Sequence, residues 1–219
     1  MIDHLLVLDL DDTLYAERDY VRSALSFAGR ILEERTGQTD EGEAMWAAWR
    51  AGEKDPVGKS VADAGLDAAV GADLVRAMRA HRPDIALHPD AARLLDRLRG
   101  AAKPFAILTD GRSVTQREKI AALGLGDAAY ISISEEQGLP KTAAERFVRL
   151  EEAVPARAYT YVGDNPVRDF LVPNARGWHS VLLAERPGMI HPRPTSLTPQ
   201  QRPAREIADL EQLLDETPA

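Results

Sequence analysis

Three carboxylates, Asp9, Asp11 and Asp12, fall within four positions directly behind the apolar run Leu5-Leu6-Val7-Leu8. Like charges crowded at a strand end repel, so the arrangement calls for a use. In an extended chain alternate residues point the same way, so Asp9 and Asp11 project together while Leu8 and Leu10 face the other side. Such a pair can hold a divalent cation, or divide the roles of nucleophile and acid/base between its members. A solvated strand end followed by a turn would carry the same letters, and the pair alone does not decide between them. Asp12 lies off the shared face and reads as a turn residue without chemistry.

Other reactive groups stand at the ends of other apolar segments. Ala106-Ile107-Leu108 runs into Thr109-Asp110-Gly111, a hydroxyl and a flexible backbone ahead of a helix, which suits phosphate oxygens and equally suits an ordinary turn. Tyr159-Thr160-Tyr161-Val162 runs into Gly163-Asp164-Asn165-Pro166, with Asp169 one turn further. Glycine permits a sharp exit there, Asp164 can face a ligand and Asp169 can hold its neighbours in place. Lys141, after Gly138-Leu139-Pro140, is a lone cation of a kind usually found at the surface. It gains interest only if the carboxylates and a phosphate converge and need a positive counterweight.

The elements that must bring these groups together are short. Apolar, β-branched segments at His4–Leu10, Pro104–Thr109, Ala129–Ser134, Tyr159–Val162 and His179–Leu183 read as strands, with helix-length amphipathic segments at Thr115–Leu123 and Thr142–Ala153 between the later ones. Strands alternating with helices predict an α/β domain with a mostly parallel sheet, whose ligands bind at the carboxyl ends of the strands. Residues 11–103 separate the first two strands, far more than the dozen or so that a crossover needs, so a unit is inserted there. Apolar residues at helical spacing, Val21 to Leu32 and Leu66 to Met78, make it helical. The expected organisation is an α/β core over 1–15 and 84–219 and a helical cap over 16–83. Met189 to Pro203, with its four prolines, should run irregularly, and Ile207, Leu210, Leu213 and Leu214 suggest a closing helix.

Composition narrows the function classes. The 219 residues contain no cysteine, which excludes disulfides, thiolate nucleophiles and Cys-ligated metals, so that a metal, if used, is a hard cation held by oxygens. A net charge of -8 without a basic cluster argues against nucleic-acid and membrane-surface partners. No apolar run is long enough to span a bilayer and the opening residues lack a signal-peptide pattern, so a cytoplasmic location is expected. LDLDDT replaces a glycine-rich turn, which disfavours dinucleotide binding.

The chain resembles the haloacid dehalogenase superfamily of hydrolases. Val7-Leu8-Asp9-Leu10-Asp11-Asp12-Thr13-Leu14 is similar to the first signature of that family, Thr109 to the second, Lys141 to the third, and Gly163-Asp164 through Asp169 to the fourth. Asp12 departs from the usual Gly, Thr142 from the Pro that usually follows the lysine, and Pro173 from a usual small residue, which predicts a short or kinked helix there.

The resemblance implies a Rossmann-like core of five main strands in order 5-4-1-2-3 with an all-helical cap inserted after the first strand. It implies a Mg²⁺-dependent phosphatase acting on a small phosphorylated metabolite, a nucleoside monophosphate or sugar phosphate. Asp9 would form an aspartyl-phosphate and Asp11 would act as acid and then base, with Thr109 and Lys141 completing the catalytic set. Leu10, Asp11, Thr109, Asp110, Gly111 and Lys141 would bind the phosphate; the Asp9 and Asp164 carboxylates and the Asp11 main-chain carbonyl would bind the metal; and Asp169 would orient Lys141 or metal-bound water. Members that displace halide from carbon typically lack Asp at position 11, so phosphoryl chemistry is favoured. A phosphomutase of the same fold is the alternative, and a non-enzymatic phosphoacceptor ranks far behind because Lys141 precedes Asp164 and the cap is foreign to such modules. Tyr15, Arg18, Trp46, Trp49, Arg50 and Lys54 are chemically able to select the substrate, although Trp46 and Trp49, one turn apart, also suit the cap's own core. The sequence is neutral between monomer and dimer.

Overall fold

A computed structural model describes residues 2–191 and 193–214 of the chain. The first strand, β1 (Ile2–Leu8), is followed by four helices: α1 (Glu17–Thr36), α2 (Glu41–Arg50), α3 (Pro56–Asp63) and α4 (Ala68–Arg79). The chain continues through α5 (Pro89–Gly100), β2 (Phe105–Thr109), α6 (Ser113–Ala122), β3 (Tyr130–Ile133), α7 (Ser134–Gln137), α8 (Ala144–Ala153) and β4 (Ala156–Gly163). It closes with α9 (Pro166–Asp169), α10 (Leu171–Ala175), β5 (His179–Leu183) and β6 (Arg205–Ile207). The strands form one parallel sheet in the order β3-β2-β1-β4-β5-β6, the expected order of five with a sixth strand at the edge.

Central β1 shows why a continuous apolar run marks such a strand. Leu6 and Leu8 pack on one side of the sheet with Leu94, Leu95 and Leu98 of α5. Leu5 and Val7 pack on the other side with Phe147 and Leu150 of α8. Both faces are covered, so every position of Leu5 to Leu8 is buried. The strand stops at Leu8, two residues short of the expected end, and the Asp9 amide still donates to the Val162 carbonyl (2.9 Å), carrying the extended path to the first carboxylate.

Helices α1–α4 pack around a separate apolar cluster that includes Leu25, Leu32, Met45, Trp46 and Val57. The expected closing helix is absent. Ile207 instead pairs with Leu183 as part of β6, and Leu210–Leu213 forms a short 3₁₀ turn whose Leu210 amide donates to Asp90 at the start of α5. A strand of three residues carries no readable period, so spaced leucines after it mimic a helix. Pro173 does shorten its helix, since α9 and α10 are separate pieces broken at Phe170. Pro192, in the stretch expected to be irregular, and residues 215–219 lie outside the described residues. Among the described residues no helix is long and apolar enough to cross a membrane.

Candidate active site

The carboxyl ends of β1, β2 and β4 meet at a cleft of about 100 Å³ whose lining includes Asp9, Asp11, Thr109, Lys141, Asp164 and Asp169. Four distant sequence segments thus contribute to one site. Asp9, Asp164 and Asp169 each bring a carboxylate oxygen within 4.8 Å of the others, and all three residues are buried. Lys141, 6% exposed, lies among them, its Nζ 2.6 Å from Asp9 Oδ1 and 3.1 Å from Asp169 Oδ1. The expected counterweight is therefore in place. Burial alone would discharge this lysine, but the carboxylates of Asp169 and Asp9 hold it firmly protonated.

One cation does not balance three carboxylates. Burial, reinforced by Asp169 and Asp164, pushes the Asp9 carboxyl well above its ordinary range against the pull of Lys141. Burial and then Asp169 raise Asp164 to about 7. This excess of hard oxygen donors fits a dication such as Mg²⁺ better than a softer metal. Asp169 is less free than Asp164, because its Oδ2 accepts from the Asn165 amide (2.9 Å) while Oδ1 is held by Lys141, which suits an orienting role. Gly163 makes that reach possible: a side chain there would overlap the Asp169 carboxylate.

The sign of the pH dependence follows. A carboxyl whose pKa is raised on folding contributes stability that is complete below the unfolded value of about 3.9 and is lost as pH rises through the folded value. In EDTA the protein is expected to lose stability between about pH 4 and 7 as Asp164 ionises. Saturating Mg²⁺, at about 100 times its dissociation constant, should restore roughly 2.7 kcal/mol, about 5–10 °C in melting temperature. At one fixed Mg²⁺ concentration the increase should be larger at pH 8 than at pH 5, where protonated Asp164 weakens binding. A thermal melt with equal increments at both pH values would contradict the assignment.

Asp11 is held differently. Its Oδ1 accepts from Lys119 Nζ (2.7 Å) and from the Tyr15 hydroxyl, and its Oδ2 accepts from Gln116 Nε2 (2.9 Å). Burial acts to raise its pKa, but the Lys119 charge and these hydrogen bonds outweigh it and keep Asp11 below the ordinary carboxylate range. Thr109 Oγ1 accepts from the same Gln116 amide (2.6 Å), so its hydroxyl proton can be donated into the cleft.

Several sequence expectations are corrected. Tyr15 is fully buried with its hydroxyl given to Asp11, so it supports the site and does not meet substrate. The Gly111 amide donates to Ser134 Oγ (2.8 Å) and the Asp110 carboxylate accepts from Arg146 Nη1 (2.6 Å) and the Lys141 amide (3.0 Å), so both brace the loop that follows β2. The Leu10 amide donates to Asp9 Oδ1 (2.7 Å). Lys54 is exposed on the loop after α2 and does not line the cleft of Asp9. Trp46 belongs mainly to the apolar cluster of the helices. Asp12 is no bystander: buried, with φ 52, it accepts from the Glu17 amide and from the Ile190 amide, both at 2.9 Å, and lines the cleft.

Sequence reasoning missed Gln116, Lys119, Arg146 and Glu17. Arg146 is completely buried and donates to the carbonyls of Thr109 (2.8 Å) and Ser132 (2.9 Å), tying the ends of β2 and β3 together. The available signals were a cation beside Phe147 on the apolar face of α8, and Gln116 and Lys119 one turn apart beside Ile120. Glu17, at the start of α1, lines the same cleft as Asp9 and Asp11. Burial and the Asp11 charge raise it to about 7.

The geometry agrees with the comparisons. Residues 4–172 match the family model of haloacid dehalogenase-like hydrolases. No curated protein matches the sequence. Among solved structures, the chain is similar to the HAD-hydrolase YfnB from Bacillus subtilis, bound to magnesium (TM-score 0.63, 21% identity, 98% of each chain covered). It is also similar to a 2-haloacid dehalogenase from Pseudomonas syringae pv. tomato DC3000 (TM-score 0.64, 21% identity, 98% of this chain and 97% of that one). A third is the L-2-haloacid dehalogenase from Xanthobacter autotrophicus (TM-score 0.61, 21% identity, 97% of each chain). With a parallel sheet in the expected order and signatures from four segments gathered at its carboxyl edge, the chain belongs to the haloacid dehalogenase-like hydrolases.

Proposed function

We propose that the protein is a phosphatase that hydrolyses a small phosphorylated metabolite through an aspartyl-phosphate on Asp9, with helices α1–α4 as its cap. The observation that carries this reading is the buried cluster of Asp9, Asp164 and Asp169 around Lys141, with the Asp11 carboxylate on the same cleft. A carboxylate attacking a phosphate dianion works against like-charge repulsion. Asp9 and Asp164, with the Asp11 main-chain carbonyl, would hold Mg²⁺, which when bound screens that repulsion.

The chain's own residues divide the remaining work. Asp9 Oδ1 is occupied by Lys141 and the Leu10 amide, and Oδ2 accepts no hydrogen bond among the described residues. The carboxylate attacks phosphorus and the bond from phosphorus to the leaving oxygen breaks, that oxygen taking a proton from Asp11, which has to carry it for this half against the pull of Lys119. Asp11, ionised again, then accepts a proton from the water that attacks the aspartyl-phosphate, releasing phosphate and restoring Asp9. Lys119, Gln116 and Tyr15 favour the ionised form and so support the second half, where Asp11 is a base. Lys141 and the Thr109 hydroxyl meet the transferring oxygens.

The similarity in fold to 2-haloacid dehalogenases motivates a second reading, displacement of halide from carbon by Asp9. Halide leaves as a stable anion that needs no proton, and a neutral carbon centre needs no dication to be approached. Neither Asp11 nor the three-carboxylate cluster would then have a use. Phosphomutase chemistry uses the same residues but returns the phosphoryl group to a sugar in place of water. A screen of inorganic phosphate release from nucleoside monophosphates and sugar phosphates, run beside halide release from 2-haloacids, with and without Mg²⁺, separates the three. Metal-dependent phosphate release without halide release is expected. Halide release would replace the proposal with dehalogenation, and phosphoryl exchange between sugar positions without net release would replace it with a mutase.

A further inference from the structure

The catalytic cleft, at about 100 Å³, is too small to enclose the whole substrate proposed for it, since sites for small organic ligands run to roughly 300–1,000 Å³. It suits the phosphoryl group, and the alcohol has to lie elsewhere. One residue further along two of its walls, a second cleft of about 480 Å³ opens. Glu17 and His191 line the first cleft, while Arg18 and Ile190 line the second, and the Asp12 carboxylate that accepts from the Glu17 and Ile190 amides marks the boundary.

The second cleft is chemically unlike the first. Arg18, Arg22 and Arg50 converge in it on a chain whose net charge is -8. Their charges are weakly compensated: Arg18 Nε is 3.9 Å from Asp19, Arg22 Nη2 is 3.3 Å from Glu43 in a largely exposed pair, and Arg50 has no ion-pair partner among the described residues. Trp46 and Trp49 stack with ring centroids 5.0 Å apart, and the Arg22 guanidinium lies 5.6 Å from the Trp46 ring, so an aromatic face sits beside the cations. The facing wall is the segment Gly188-Met189-Ile190. Gly188, with φ +93, lies so close to Arg18 that any side chain there would overlap the guanidinium and its stem.

We propose that this cleft holds the leaving group, and that the substrate is a phosphomonoester whose alcohol carries a second anionic group, phosphate or carboxylate, next to a flat or apolar ring face. The assignment rests on the phosphatase reading above. A phosphomonoester with a neutral alcohol would leave Arg50 without an ion-pair partner among the described residues and Arg18 and Arg22 only weakly paired, whereas a second anion takes charge-assisted, bidentate hydrogen bonds from such guanidinium groups.

The test measures binding apart from turnover. The full chain in EDTA is titrated by tryptophan fluorescence with two probe pairs that differ in the second anion: adenosine 5′-monophosphate against adenosine 3′,5′-bisphosphate, and glucose 6-phosphate against 6-phosphogluconate. The second-anion member of at least one pair is expected to bind at least tenfold more tightly, and which pair responds tells phosphate from carboxylate. Arg18→Gln and Arg50→Gln, at exposed side chains that the fold does not need, are each expected to shrink that preference to under threefold. Equal affinities within both pairs, or a preference that survives both substitutions, overturn the proposal. The same probes are then offered to the native protein with Mg²⁺. Tight binding without phosphate release keeps the anion cleft and sinks the phosphatase reading; phosphate release without a second-anion preference does the reverse.

Discussion

Asp9→Asn is expected to lower metal-dependent phosphate release by about 10⁴-fold or more, the scale of losing a covalent nucleophile, while leaving the protein folded. The amide keeps the shape of the side chain but cannot attack phosphorus. It also removes one charge from a cluster that repels itself, since burial and the neighbouring Asp169 and Asp164 already disfavour ionised Asp9. Lys141 keeps Asp169 as a partner at 3.1 Å. In EDTA at pH 8 the variant should therefore melt no lower than the native protein. Activity within tenfold of native would remove Asp9 from the nucleophile role, and a collapse in melting temperature would make it a structural residue.

Lys141→Met is expected to be the costliest single change for stability. The native ammonium is the counter-charge lying between Asp9 and Asp169, and removing one member of a buried pair leaves its partners uncompensated, at about 3–5 kcal/mol. At roughly 2–4 °C per kcal/mol for a chain of this size, the melting temperature should fall by about 6–20 °C, with turnover lost. Mg²⁺ should recover part of the stability, because a dication can screen the same carboxylates, but not the turnover, which also needs Lys141 on the phosphate. Lys59→Met, at an exposed pair with Asp63, is the control and should leave the melt unchanged. A Lys141→Met variant as stable as native would show that the carboxylates are neutral in the folded protein and that no charge cluster exists.

The groups legible in the sequence were those that end strands. Asp9, Thr109 and Asp164 end or follow apolar runs, and a parallel sheet gathers whatever lies at that edge, so local patterns sufficed to place them together, whereas Lys141, in the loop beyond α7, gained meaning only from the resemblance. The groups that support them were not legible, because their meaning depends on partners far away in the chain. Lys119 contacts Asp11 from 108 residues off, and Arg146 contacts Asp110 from 36. Each lies on the buried face of its own helix, but nothing in that helix says which carboxylate it meets. Tyr15 was misjudged for the same reason: an aromatic beside the catalytic loop suggests substrate contact until Asp11 takes its hydroxyl. The edge strand β6 was invisible because its three residues are held by pairing with β5, not by any pattern of their own.

Asp12 adopts a left-handed backbone that costs most residues about 1 kcal/mol or more but that aspartate tolerates. Its two carboxylate oxygens are divided between the first turn of α1 and the loop at Ile190. The two lips of the site are consequently geared through one side chain, and neither can swing outward without dragging or releasing the other. The third member of the acidic triplet thus sets the spacing of two walls, a mechanical task distinct from the roles proposed for its neighbours.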